Sequence, residues 1–227
     1  ENNYYSSIGE RYISGDAKYY TQNGIVPGAA RTKPYKENGF DYGYAIGNVV
    51  FQPSKSIRIS GGNNAHFIGL GHRSLFLSDN SVPSIYIRGD FKLSKKLEYS
   101  VLRSKQFNLL RRPIYTTVES YYEQKLYSLQ FLNYAVSKNL SISLFEGSYW
   151  NIGDSISSKS VNPSYYIPVP FVGALLVNDA NEINSLAGFQ MEYRLKQSAV
   201  FYSQLVLSNW NSKSIGSQIG MRYYGVL

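Results

Sequence analysis

His66, His72, Ser74 and Asp79 fall within fourteen residues and carry the atom types of a hydrolytic triad. Such chemistry needs a nucleophile, a base within hydrogen-bond reach and an acid that orients the base. The serine of a Gly-x-Ser-x-Gly elbow sits on a strained turn. Here His72 and Phe76 occupy the two glycine positions around Ser74, so that elbow is absent. His66 and His72 are six apart and would share one side of a strand, but Gly69 and Gly71 interrupt it. No carboxylate is spaced to complete a zinc set with them. A glycosidase needs two carboxylates across a cleft, and nothing singles out a pair among the 15 Asp and Glu residues. No glycine pattern of the Walker or Rossmann kind follows a strand and opens a helix. Cysteine is absent, which removes disulfides, thiol nucleophiles and thiolate metal sites. The expectation is a protein without catalytic residues, metal or cofactor.

Binding is the more promising chemistry. Arg103, Lys105, Arg111 and Arg112 surround Phe107. Guanidinium groups grip carboxylates in a bidentate fork, and an aromatic ring stacks on a sugar face, so these residues are candidates for an acidic sugar. The alternative is a solvated loop or a rim against lipid headgroups. Lys and Arg total 23 and give a net charge of +8, which suits an acidic partner. No nucleic-acid-binding motif accompanies that charge, so nucleic acid is not expected.

The elements that position these residues repeat with period two. Ala187, Phe189, Met191, Tyr193 and Leu195 alternate with Gly188, Gln190, Glu192, Arg194 and Lys196. The pattern recurs at 85–93 and 215–223, and further strands are expected near 42–52, 55–61, 96–104, 126–136, 139–149 and 198–208. Short turns at Pro53-Ser54, Leu93-Ser94-Lys95, Ser137-Lys138-Asn139 and Lys196-Gln197-Ser198 join several of them. Longer links are read at 104–120, 151–164 and 177–185, with a turn or two of helix at 112–124. Gly147-Ser148 suggests a bulge, and the three prolines of 162–171 suggest an edge, loop or plug segment.

No apolar run reaches the roughly 18 residues of a membrane helix. Strands of about 9–11 residues cross a bilayer when tilted. Short turns at one end and long loops at the other fit an outer-membrane barrel. The 22 tyrosines, many near strand ends, fit aromatic girdles. The fold expected is all-β: an antiparallel transmembrane β-barrel, with residues 1–227 as one barrel domain or part of one. A soluble β-sandwich or barrel remains the alternative on pattern alone. In a membrane barrel the mid-strand charges Arg58, Arg88, Asp90, Glu192, Arg194 and Arg222 line a wet lumen, paired across strands. The chain starts at Glu1 with no basic-then-apolar leader, which reads as a mature product or a fragment.

Residues 62–82 read as a glycine-hinged loop that folds inward as a lumen plug or a packed corner. Gly69 and Gly71 permit positive φ, and Arg73 is within reach of Asp79. Ser74, Ser78, Asp79 and Asn80 supply turn and capping groups. Leu75 and Leu77 form an apolar underside.

The run from Asn64 to Asn80, NAHFIGLGHRSLFLSDN, resembles the signature of the capsule-assembly (Wzi-type) outer-membrane proteins, and most closely their gliding-motility branch. His72 stands where that branch commonly has tyrosine, and Leu70 where it has an acid. Val26-Pro27-Gly28, Gly39-Phe40-Asp41-Tyr42, Leu144-Phe145-Glu146, Asn162-Pro163 with Pro168-Val169, and 181–188 agree in order along the chain. The resemblance implies a barrel about twice the size this chain can build. It also implies a non-enzymatic role at the Gram-negative outer membrane, in surface polysaccharide attachment or gliding motility. Its partners would be outer-membrane lipid, acidic surface polysaccharide and other outer-membrane, motility or secretion proteins. A subunit of a larger outer-membrane complex, a porin-like channel and a soluble carbohydrate-binding module are the other readings.

Overall fold

The structure, a computed structural model, describes residues 33–35, 39–41, 45–81, 83–111, 122–153, 166–167, 169–170, 172, 183–196, 198–208 and 214–225. Eleven strands run in order: β1 (Lys33–Tyr35), β2 (Gly39–Asp41), β3 (Gly47–Ser54), β4 (Ile57–Asn64), β5 (Ser84–Lys92), β6 (Leu97–Arg111), β7 (Tyr122–Ala135), β8 (Leu140–Gly153), β9 (Ile183–Leu195), β10 (Ala199–Ser208) and β11 (Ser214–Tyr223). β1 and β2 form a small hairpin. β3 to β11 form one nine-stranded sheet in chain order, every neighbouring pair antiparallel. Among the described residues β3 and β11 are its edges. No helix among them is long and apolar enough to cross a membrane, which has no bearing on strands.

The short turns share a device. Ser54 Oγ accepts the Ser56 N–H, and Ser94 Oγ accepts the N–H groups of Lys96 and Leu97. Ser137 Oγ does the same for Asn139 and Leu140. A serine hydroxyl that caps the backbone two residues on reverses the chain without a long loop. At the β9–β10 turn Lys196 instead adopts a left-handed φ of 53°.

Several expectations need correction. β6 continues through Arg111, so 104–111 is ladder and not link. Tyr122–Gln124 belongs to β7, not to a helix; 112–121 lies outside the described residues. Gly147 and Ser148 pair in register with Leu129 and Ser128, so the bulge expected there is absent. The register shifts instead between Phe51 and Ser54, between Phe107 and Arg111, and between Gln124 and Lys125 at the far end of the β7–β8 ladder.

The ladders place Ile59, Gly89, Val101, Gln130, Glu146 and Ala187 in one row on one face. The next row, on the opposite face, is Ser60, Arg88, Leu102, Leu129, Gly147 and Leu186. The loop after β4 lies against that second face and travels as far as β11: a Cβ on Gly71 would sit 2.8 Å from Gln218 Nε2. Seven spacings separate β4 from β11 along the sheet. At ~4.8 Å each that is ~34 Å. The seven residues from Asn64 to Gly71 span at most ~25 Å when fully extended. The sheet therefore curves toward the loop, and the loop lies on its concave side.

The two faces differ. On the convex face Phe189, Met191 and Ile219 are 41%, 42% and 86% exposed, and Ile57, Ile59, Ile85, Ile87, Leu144, Phe201, Leu205 and Ile215 extend that apolar surface. The concave face was expected to be polar and wet. At its centre it is apolar instead: Leu102, Tyr127, Leu129, Phe145 and Val206 bury themselves under Ile68 and Phe76 of the crossing loop. Phe76 stacks on Phe145 with ring centroids 4.5 Å apart. Gly188 makes room, since a Cβ there would lie 2.5 Å from the Phe76 ring.

Phe145 is 0% exposed and holds loop and sheet together. Phe145→Ala is expected to lower unfolding free energy by about 3–5 kcal/mol, read from urea unfolding followed by tryptophan fluorescence.

Candidate functional site

The crossing loop is the most elaborated feature of the concave face. Gly69 and Gly71 carry φ of 110° and 94°, which side chains with a Cβ rarely adopt. They let the chain pass close to Ser74 and Gln204, and then to Tyr202 and Gln218. Ile68 and Leu77 exchange backbone hydrogen bonds of 2.9 and 3.3 Å and pinch the loop shut.

Neutral amides and hydroxyls, with one arginine, latch it to the sheet. Gln204, 2% exposed, accepts the Leu75 N–H at 3.0 Å. Its amide donates to Ser74 Oγ at 3.1 Å and to Gln190 Oε1 at 2.8 Å. Gln190 in turn donates to Ser143 Oγ, which donates to Asn133. Ser74 Oγ also accepts the Phe76 N–H at 3.1 Å. Arg222 Nη2 donates to the Gly71 carbonyl at 3.0 Å, with its guanidinium beside the Tyr202 ring. A buried amide with every group satisfied fixes one position of the loop, because sliding it would strand several donors at once.

A cleft of about 440 Å³ opens beside the base of this loop. Phe67, Ile68 and Gly69 form one wall; Arg58, Arg88, Asp90, Lys92, Glu98 and Ser100 form another, with Lys55 at the turn. Asp90 accepts from Arg88 at 2.8–3.1 Å and from Ser100 Oγ at 2.6 Å. Lys92 and Glu98 stand 3.9 Å apart. His66 packs edge-on against Tyr86 with ring centroids 4.0 Å apart. Burial, and then the Arg88 charge, lower its pKa to about 4.

The convex face has its own polar island. Arg103, Ser128, Gln130, Glu146 and Ser148 share it by register, and the last four are buried. Gln130 donates to the carbonyls of Ile167 and Val169, and accepts from Tyr99 at 2.5 Å. Arg103 donates to the Leu102, Leu129 and Ile167 carbonyls. The described part of the proline-rich segment thus straps the outside of β6 and β7.

Of the four residues read as a sugar site, Arg103 serves that strap, and Lys105 lies on the same face, across from Ile85 and Leu126. Arg111 is in β6 with its side chain outside the described residues, as is the whole of Arg112. In the loop, Ser78 Oγ accepts the Asn80 N–H at 3.4 Å. Arg73, Asp79 and Asn80 are exposed, and the Arg73–Asp79 pair does not form. Phe76 is the buried anchor and Leu77 packs partly buried against the same core, while Leu75 is exposed.

Arg58, Arg88, Asp90, Glu192, Arg194 and Arg222 all share the concave side by register. Their ion pairs join residues two apart on one strand, Arg88–Asp90 at 2.8 Å and Arg194–Glu192 at 2.6 Å, rather than across strands as expected. Among the described residues no three His, Asp or Glu gather as a metal set. Sequence reasoning missed Gln190 and Gln204, since neutral amides belong to no chemical motif. It also missed the strap carbonyls, whose partners are 37 to 64 residues distant.

No protein-family model matches the chain, and no curated protein matches it in sequence. Its fold is similar to that of a solved structure of the NanC porin in a rhombohedral crystal form. The identity is 11% and the TM-score 0.50, over 78% of this chain and 76% of that one. The architecture is accordingly that of a porin-type antiparallel β-sheet.

Gln204→Leu removes three contacts of the latch. It is expected to speed tryptic cleavage after the exposed Arg73 at least severalfold while far-ultraviolet dichroism stays that of the parent. His66 adds a pH dependence. Its docked pKa lies below the ordinary 6.5, so the released loop takes up the proton first. Docking is complete above about pH 6.5 and weakens as pH falls toward about 4. Amide-exchange protection across 65–81 should follow that course, and His66→Gln should flatten it.

Proposed function

We propose that the chain forms wall and plug of an outer-membrane β-barrel of a Gram-negative bacterium, acting without catalysis at the cell surface. The observation that carries this reading is the set of exposed apolar side chains on the convex face, from Ile57 and Ile59 through Leu144 and Phe189 to Ile215 and Ile219, beside the polar island of β6 to β8. So broad an exposed patch would drive association in water, whereas hydrocarbon is its natural neighbour. The resemblance of Asn64–Asn80 to the capsule-assembly signature favours surface polysaccharide attachment or motility-related organisation, because that run is the very segment latched across the concave face. Outer-membrane lipid is then the main partner. Acidic polysaccharide and other envelope proteins, including those of motility or secretion complexes, are the further ones.

A porin-like channel is the second reading, favoured by the similarity to the NanC porin. The crossing loop opposes free passage, since Phe76 and Ile68 fill the middle of the concave side.

The full protein should leave the membrane fraction only with detergent and migrate differently on gels before and after heating. Recovery in a detergent-free soluble fraction would falsify the envelope assignment. In planar bilayers its conductance should be low and should rise severalfold when 66–80 is replaced by a short Gly-Ser link. High conductance from the parent protein would favour the channel reading.

A further inference from the structure

We propose that the cleft beside the base of the crossing loop binds a sugar-sized anion, a carboxylate or a phosphate ester, through Arg58 and Lys55. The inference rests on the geometry of β4 to β6 and stands apart from the surface role proposed above. The volume, about 440 Å³, falls within the range of small-molecule sites. Four cations line it: Lys55, Arg58, Arg88 and Lys92. Two carboxylates face them, Asp90 and Glu98, and both are engaged.

Arg58 is the telling residue. The register sets it directly across from Asp90. Yet Asp90 gives its oxygens to the fork of Arg88 and to the hydroxyl of Ser100. Arg58 is left facing the cleft with no carboxylate among the described residues, and Lys55 with none either. Two positive charges therefore remain over. A guanidinium presents a planar pair of donors, which matches a carboxylate or phosphate edge. Gln52 and Ser56 lie beside them for neutral hydroxyl groups, and Phe67 and Phe131 supply apolar wall for a ring face. Arg88, already neutralised, shapes the floor. His66 stays neutral above about pH 4, so the surplus charge at neutral pH is that of Arg58 and Lys55.

The test uses the full chain in detergent micelles, with calorimetric titration of three probes: D-galacturonate, D-galactose 6-phosphate and neutral D-galactose. One or both anions should bind, and galactose at least tenfold more weakly. Whichever anion binds more tightly identifies the carboxylate or the phosphate as the preferred group. Arg58→Gln should weaken the anion at least tenfold, and Arg58→Lys less, since it keeps the charge and loses the fork. Lys55→Gln should give a smaller loss, and Lys138→Gln, on a distant turn, none. Heat-modifiable migration of each variant reports folding and membrane character separately from binding. Absence of anion binding by a heat-modifiable parent protein overturns the proposal. Equal binding of galactose, or undiminished anion affinity in a folded Arg58→Gln variant, overturns it as well.

Discussion

A short tether sets the shape of this sheet. Antiparallel strands twist, but twist alone does not decide how far nine of them curl. The chain between Asn64 and Gly71 is too short to reach β11 along a flat sheet, and its docking requires the curl. The same segment carries the apolar groups that cover the concave face. Phe76 on Phe145 and Ile68 among its neighbours are both the core of the domain and the fastening of its curvature. Stability and shape thus rest on one contact surface. The neutral latch through Gln204 adds position more than energy, because each buried hydrogen bond nets about 1 kcal/mol while a misplaced loop leaves several unmade.

The polarity of the strands changes along their length. Near the short turns the convex side is apolar, at Leu144, Phe189 and Met191, while Asp90, Glu98 and Gln190 face inward. Toward the long-loop end of β6 to β8 the pattern inverts. Leu102, Leu129 and Phe145 turn inward under the loop, while Gln130, Glu146 and Ser148 turn outward and are buried, Gln130 beneath the strap. Each inversion is tolerated because a second segment covers it. A buried glutamine or glutamate on an uncovered convex face would meet either lipid or an unfavourable apolar neighbour.

The strands themselves were legible in the sequence. Period two and serine-bearing turns located nearly every ladder of the main sheet to within a few residues, because alternation is a local property. The loop was legible for a similar reason, since paired glycines mark a backbone that side chains would block. What failed was the assignment of inside and outside in the middle of β6 to β8. Ile142, Leu144, Glu146 and Ser148 share one face, so alternation along β8 is real but changes sign midway. Only the segments that cover each half explain the change, and their contacts with the sheet span 37 to 130 residues. Leu75 and Leu77 read as the apolar side of a Leu-Phe-Leu run; Leu77 does pack against the core, but the stacking partner Phe145 shows why Phe76 is buried more deeply. The charges share one face by register, and the ion pairs among them join residues two apart on one strand, which alternation alone does not reveal.

The direction of the outermost strands has a consequence of simple parity. Each step across the sheet reverses the chain, and eight steps lead from β3 to β11. The two rims therefore point the same way. Joining them directly would make a parallel seam in an otherwise antiparallel wall. An unbroken antiparallel ring can be completed from these rims only by inserting an odd number of strands between them.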